Sequence, residues 1–271
     1  SSFESSISYY FDGITKELIP YMKNVSEVDP NGLWDYTAEY QYNPETEAFV
    51  LYTQEENTFY ENGYKKSTHK TEYCLDDLNN PYILLECTSR NDENNHEIYY
   101  EVMAYDNSLG KLIGDIKNEY AYSGNTLVVE KSYSWNFEEN NWVLTHEYKV
   151  DFFADGKGKT IYQISYNIDG DIIDFSRNDS LYDDNNREIE HVYYNYNYES
   201  ETLTISSKSE YTYDERGNKI MSIRYEYDTE KNEFIPIRKD VYEYNESNQK
   251  IATYTYNYDE TTQEWVLFSN Y

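Results

Sequence analysis

Hydrophobic and polar side chains alternate along most of this chain with a period of two. In HVYYNYNYES (191–200), Val192, Tyr194, Tyr196 and Tyr198 fall on one side, and His191, Tyr193, Asn195 and Asn197 on the other. Ile223, Tyr225 and Tyr227 repeat the scheme, as do Tyr254, Tyr256 and Tyr258. Successive side chains of a β-strand point to opposite faces, so this period predicts strands with one ring-lined side. Tyr193 stands off the pattern, a ring on the otherwise polar side.

Two kinds of turn separate the alternating runs. The shorter carries Gly or Asn three residues before the strand resumes: Gly63, Asn95, Gly124, Gly158, Asn186, Gly217 and Asn248. These two residue types tolerate positive φ most readily, as a tight hairpin loop requires. The longer turn is acidic and ends on a large apolar residue. Phe49, Tyr82, Leu112, Trp142, Ile173, Leu203, Phe234 and Trp265 fill that place at spacings of 33, 30, 30, 31, 30, 31 and 31 residues. Such regularity predicts about seven or eight hairpin units, each of about thirty residues, and about sixteen short antiparallel strands.

The expected fold class is therefore all-β: a meander of hairpins twisted into an open superhelical or barrel-like sheet, since a flat layer of that many strands is disfavoured. The repeat domain is placed at 34–271. Residues 1–33 lie outside the period and read as an N-terminal cap for the first sheet edge. Within them Ile14, Leu18, Met22 and Val25 have the spacing of a short helix, which Pro20 would interrupt.

Composition changes the picture of what holds such a sheet. Tyrosine occurs 35 times, with 10 Phe and 4 Trp, so rings with polar tips must do much of the packing and buried hydroxyls will need partners. Rings recurring at one repeat position are explained by cross-strand stacking, roughly 0.2–1 kcal/mol per pair. Aromatics off the pattern are the better ligand candidates: Tyr193, and Trp135 with its facing neighbour Trp142.

Charge excludes some partners. Twenty-two basic against 52 acidic residues give a net charge of −30, which repels nucleic acid and anionic membrane surfaces. No stretch approaches the roughly 18 apolar residues of a membrane-spanning helix. A sixteen-strand outer-membrane barrel would need an apolar outer band where this chain offers rows of tyrosine. The first residue is Ser1 and no charged-then-apolar leader precedes it, as expected of a processed or truncated chain whose signal peptide has been removed.

Catalytic and metal motifs are absent. His69, His96, His146 and His191 lie in different units, and DGKGK (155–159) occupies a turn slot rather than a phosphate loop. The acidic turns NDENN (91–95), DGD (169–171) and YDDNN (182–186) lack EF-hand spacing, so no metal or other cofactor is expected. Cys74 and Cys87 flank one long turn, at the repeat positions of Glu226 and Lys239. Direct pairing there would bring the α-carbons to about 4.5–5.5 Å, within reach of a disulfide. The expectation is a Cys74–Cys87 bond, with two free thiols as the alternative; a bond would favour export.

Tyr211, Tyr213, Asp214 and Gly217 form a Tyr-x-Tyr-Asp-x-x-Gly element that resembles the YD repeats of Rhs-type and teneurin-type extracellular proteins. That resemblance implies β-hairpins wound into a curved or spiral sheet. From about residue 34 onward the chain is also similar in style to tyrosine- and asparagine-rich secreted repeat proteins of gut commensal bacteria, which implies a secreted or cell-surface location. The expected function is an exported, non-catalytic binding or adhesion protein that engages glycan or protein through an aromatic-rich acidic surface. A passive scaffold module of a bacterial surface assembly is the alternative, and a glycan hydrolase with a carboxylate pair the third reading.

Overall fold

The structure, a computed structural model, describes residues 2–270, and every regular element among them is a β-strand. The strands are β1 (Ser2–Phe11), β2 (Leu18–Val28), β3 (Trp34–Asn43), β4 (Ala48–Phe59), β5 (Lys65–Cys74), β6 (Tyr82–Asn91), β7 (Glu97–Asp106), β8 (Lys111–Ser123) and β9 (Thr126–Asn136). They continue as β10 (Asn141–Phe152), β11 (Gly158–Tyr166), β12 (Ile172–Tyr182), β13 (Glu188–Asn197), β14 (Thr202–Tyr213), β15 (Lys219–Asp228), β16 (Glu233–Tyr244), β17 (Lys250–Asp259) and β18 (Glu264–Asn270). Contacts divide the chain into two units, Ser1–His146 with Asn167–Asp171, and Glu147–Tyr166 with Ile172–Tyr271. Within the first, β1 to β9 pair antiparallel in chain order; within the second, β11 to β18 do the same.

The N-terminal helix is not formed. Ile14 sits in a turn and is 92% exposed, and Pro20 lies in β2 opposite Tyr9, at a break in the ladder where its missing N–H costs little. Lys16 adopts φ 63°, the left-handed place of the long turn, and Leu18 precedes Phe49 by 31 residues. Residues 2–28 are thus one more hairpin of the same kind, which brings the strands to eighteen rather than about sixteen.

The short turns, apart from the two-residue turn at Gly124, are closed by two backbone bonds. In Asp214–Asn218 the first N–H donates to the fifth carbonyl at 2.9 Å and the fourth N–H to the first carbonyl at 3.1 Å. Asp214 Oδ1 also accepts the N–H groups of Arg216 and Asn218 at 3.0 and 2.8 Å, and Gly217 takes φ 87°. The Tyr-Asp-x-x-Gly element is therefore an Asp-capped turn with a left-handed fourth residue. Gly63, Asn95, Gly124, Asn186 and Asn248 are left-handed as expected, but Gly158 is not; Gly156, at φ 71°, serves its turn. Asn167–Asp171, expected as a long turn, is a short one with Gly170 at φ 88°.

In the long turns the left-handed place precedes the apolar residue by two and is held by Glu47, Gly110, Asn140, Glu201, Asn232 and Gln263. Glutamate and glutamine pay a steric cost there that glycine avoids. Glu201→Gly is expected to raise stability by about 0.5–1 kcal/mol, and Gly217→Ala, whose added carbon meets nothing within 4 Å, to lower it by about 1 kcal/mol. Urea midpoints of the two variants check both signs.

A second regularity was not visible in the sequence. The later strand of each hairpin whose register is resolved carries one extra residue: Tyr21, Tyr52, Leu84, Asp115, Ile173, Ser206, Ile237 and Phe268 have no partner on the preceding strand. Such bulges bend the strand and re-aim its side chains. Tyr21, Tyr52, Leu84, Ile173 and Phe268 are all among the exposed large apolar residues.

The ring-lined face is held by a recurring cluster. A basic residue near the middle of a hairpin's second strand stands directly opposite a tyrosine of the next hairpin: Lys23 opposite Tyr40, Lys117 opposite Tyr133, Arg177 opposite Tyr194, Lys208 opposite Tyr225, and Lys239 opposite Tyr256. The cations lie 5.4, 4.6, 4.5, 4.8 and 4.6 Å from the ring centroids. In three of the five, a carboxylate two residues further on closes a triangle. Glu119, Asp179 and Glu210 accept the facing tyrosine hydroxyl at 2.8, 2.9 and 2.7 Å. Burial alone would raise the pKa values of Asp179 and Glu210, but hydrogen bonds from the neighbouring cation and tyrosine outweigh it and hold both carboxyls below their usual range.

Apolar burial is sparse. Among the described residues only Val25, Ala38, Val102 and Val150 are buried hydrophobics.

Candidate functional site

One place in the first unit departs from the repeat. The step from Phe49 to Tyr82 is 33 residues where the others are 30 or 31, and the additional chain lies in the loop between β5 and β6. That loop folds over the preceding long turn. Asn79 Oδ1 accepts from the buried Asn43 amide at 3.0 Å, and the Asn79 amide donates to Glu45 at 3.1 Å. Asn43 in turn caps its own turn by accepting the Glu45 N–H at 2.9 Å. The two turns are thereby fixed to each other.

The result is a groove of about 420 Å³ lined by Leu78 and Pro44 together with Tyr10, Tyr21, Tyr52 and Gln41. The three tyrosines are 51%, 45% and 41% exposed, and the rings of Tyr10 and Tyr21 lie 6.4 Å apart. Bulges at Tyr21 and Tyr52 present both rings to this groove; the same place is aliphatic, acidic, hydroxylic or phenylalanine in the other units. A second depression shares Pro44 and Leu78 with the groove and is lined also by Glu45, Asp76 and Asp77. None of these three carboxylates makes an ion pair among the described residues. Rings with hydroxyl tips beside an amide suit ligands that are apolar on one face and polar at the rim.

The sequence candidates lie elsewhere. Trp135 and Trp142 do face each other, centroids 5.3 Å apart and edge to face, but their rings cover Gly114, where an added β-carbon would lie 2.5 and 2.6 Å from them. The pair fills the space left by a glycine and is half-buried. Tyr193 is 42% exposed, and its ring lies tilted against His191 with centroids 4.2 Å apart. Glu188 and Ser180 both address His191 Nδ1, at 2.8 and 3.1 Å. A hydroxyl and a carboxylate sharing one ring nitrogen cannot relay a proton through the imidazole, so this trio fixes a side chain rather than activating a nucleophile.

The expected disulfide is not formed. Cys74 pairs with Tyr82 and Cys87 with Lys70, four residues away from Cys74 along β5, and both thiols are free. The strands already pair at Cys74 and Tyr82, so Cys87 lies five residues beyond the place opposite Cys74, and Glu226 and Lys239, the equivalent repeat positions, do not face each other either: their partners are Ile235 and Ile223. Each thiol instead meets a tyrosine hydroxyl. That contact, followed by desolvation, raises the pKa of Tyr82 to about 12 and also raises that of Tyr100 beside Cys87.

Neither a protein-family model nor a curated protein matches the chain. Among solved structures, a DUF3836 family protein from Bacteroides vulgatus ATCC 8482 is similar over 34% of this chain and 90% of its own, with 17% identity and a TM-score of 0.31. A second DUF3836 family protein, from Parabacteroides distasonis ATCC 8503, covers 35% of this chain and 88% of its own at 22% identity and TM-score 0.29. A porin-like protein from Bacteroides uniformis ATCC 8492 covers 98% of this chain and 96% of its own at 11% identity and TM-score 0.27. At these scores the likenesses are loose, and no functional argument rests on them.

Proposed function

We propose that this is an exported, non-catalytic binding protein that engages glycan through the tyrosine groove of its first two hairpins. The observation that carries the reading is the coincidence of the one lengthened loop with two tyrosine bulges. Exposed rings, an apolar wall and a polar rim meet there, while many tyrosines elsewhere, such as Tyr225, are held by a cation or a carboxylate. Exposed aromatic surface of this kind serves recognition, and sugar rings present an apolar face that stacks on phenols. The resemblance of the Tyr211 to Gly217 element to extracellular YD repeats, and of the tyrosine-rich style to secreted repeat proteins, supports a location outside the cell.

A soluble-glycan panel titrated at physiological salt tests the reading. Tyr21→Ala with Tyr52→Ala is expected to weaken binding of any hit by at least about tenfold, with the unfolding midpoint near that of the parent because both rings are exposed. The same substitutions leaving affinity unchanged, while Tyr193→Ala abolished it, would move the site to the second unit and refute the assignment.

A further inference from the structure

Resting on that reading, we infer that the groove takes an extended polymer of amino sugars bearing free, protonated amines, rather than a single sugar or an uncharged chain. Two observations set the class. The first is reach. Tyr21 and Tyr52 belong to β2 and β4, two strands apart, which is at least about 9.5 Å across a sheet. Both line the same groove, and that interval exceeds one sugar ring. Leu84 fills the corresponding bulge of β6 and is 42% exposed, so the apolar track extends over a third hairpin before Asp115 ends it on β8. A ligand that uses the track must be a chain running across the strands.

The second observation is charge. Glu45, Asp76 and Asp77 line the neighbouring depression, which shares Pro44 and Leu78 with the groove; all three are exposed, and none has a cationic partner among the described residues. Asp77 is occupied only by the N–H of Asn79, and Glu45 by its amide. The 22 basic residues are too few for the 52 acidic ones, and many of them are set beside other carboxylates at short range, as at Lys70 with Glu72, Arg177 with Asp179 and Lys208 with Glu210. Carboxylates left open near exposed rings offer ammonium groups an opposite charge, and a net charge of −30 adds a long-range attraction for a polycation while repelling uronate or sulfated chains. Rings supply the stacking face for each sugar, and carboxylates the contact for its amine.

The test titrates the full chain with four soluble probes: a β-linked glucosamine oligomer at a pH where its amines are protonated, its N-acetylated counterpart, an uncharged β-glucan oligomer of equal length, and oligolysine. The glucosamine oligomer is expected to bind at least about tenfold more tightly than the two uncharged glycans, and to lose that margin in Glu45→Gln with Asp76→Asn. The same charge change at Glu138 and Glu139 is expected to leave it intact. Equal binding of the uncharged oligomers would overturn this inference and leave the glycan-groove reading standing. Failure of every glycan would remove both. Oligolysine binding that matches the glucosamine oligomer and ignores Tyr21→Ala with Tyr52→Ala would show general attraction to an acidic surface and refute the amino-sugar assignment.

Discussion

Alanine at Gly158 is expected to destabilise the protein by about 2–3 kcal/mol, the cost of forcing a methyl group into filled space. The added carbon would lie 2.3 Å from the Phe153 ring and 2.8 Å from the Ser180 carbonyl oxygen. A ring tip can swing aside, but the carbonyl belongs to β12, which pairs with β11 at this point, so relief requires moving the ladder itself. Gly156, two residues earlier, is the informative comparison. Its φ of 71° makes alanine unfavourable, but nothing lies within 4 Å of the new carbon, so the cost there should be near 1 kcal/mol. Guanidinium unfolding curves of the two variants should therefore separate clearly, with Gly158→Ala the lower. Equal midpoints would mean that the strand spacing around Gly158 is looser than the structure has it.

The second large effect is expected at Asp179. Its carboxylate accepts the Arg177 guanidinium at 3.0 and 2.7 Å, the Thr160 hydroxyl at 2.8 Å and the Tyr194 hydroxyl at 2.9 Å. Asp179→Ala strands a cation and two hydroxyls in a setting where its own side chain is only 15% exposed, and should cost about 2–3 kcal/mol at neutral pH. The pH dependence has a definite sign. Desolvation pushes this carboxyl upward, yet its hydrogen bonds hold it below the ordinary aspartate value, so the unfolded chain binds the proton more readily. The network's contribution is therefore fully present above the unfolded pKa, near about 4, and is lost as pH falls through the lower folded value. The stability gap between parent and Asp179→Ala should be constant from neutral pH to about 5 and shrink below about 4. A gap that stayed constant into strong acid would mean that the carboxylate's charge contributes nothing.

Much of the fold is legible in the residues, and the reasons are local. The period-two alternation around Tyr194 and Tyr196 fixes strand and face, because only a strand places those rings on one side. Gly217 and Asn248 fix short turns because few residues accept positive φ. The long turn was legible only through its terminal apolar residue: its left-handed place accepts Glu201 or Gln263 as well as glycine, since Asn197 and Asp259 cap the turn and absorb part of the strain. That permissiveness also hid the first hairpin, where Lys16 holds the place and Ile14, Leu18 and Met22 mimic helical spacing.

The bulges were not legible, because an extra residue in one strand leaves composition and alternation almost unchanged. The Cys74–Cys87 expectation failed for another reason, the centre of the turn: β5 and β6 already pair at Cys74 and Tyr82, which leaves Cys87 five residues further along β6. Missing the bulges hid the groove, since Tyr21 and Tyr52 are ordinary members of tyrosine-rich strands until the bulge turns them outward. The signal that was available is the 33-residue step, an insertion that the sheet itself does not need. Trp135 and Trp142 illustrate the opposite error: off-pattern rings serve Gly114 rather than a ligand.

Cross-strand rings, cations and carboxylates, rather than a dry apolar interior, hold these hairpins together. Scanning calorimetry of the whole chain measures that directly through the heat capacity of unfolding, which rises with the apolar surface exposed and falls with the polar surface. The account predicts a value per residue clearly below the about 12–15 cal/mol/K of ordinary globular proteins. A value at or above that range would mean that unfolding exposes a conventional hydrophobic core, and would contradict it.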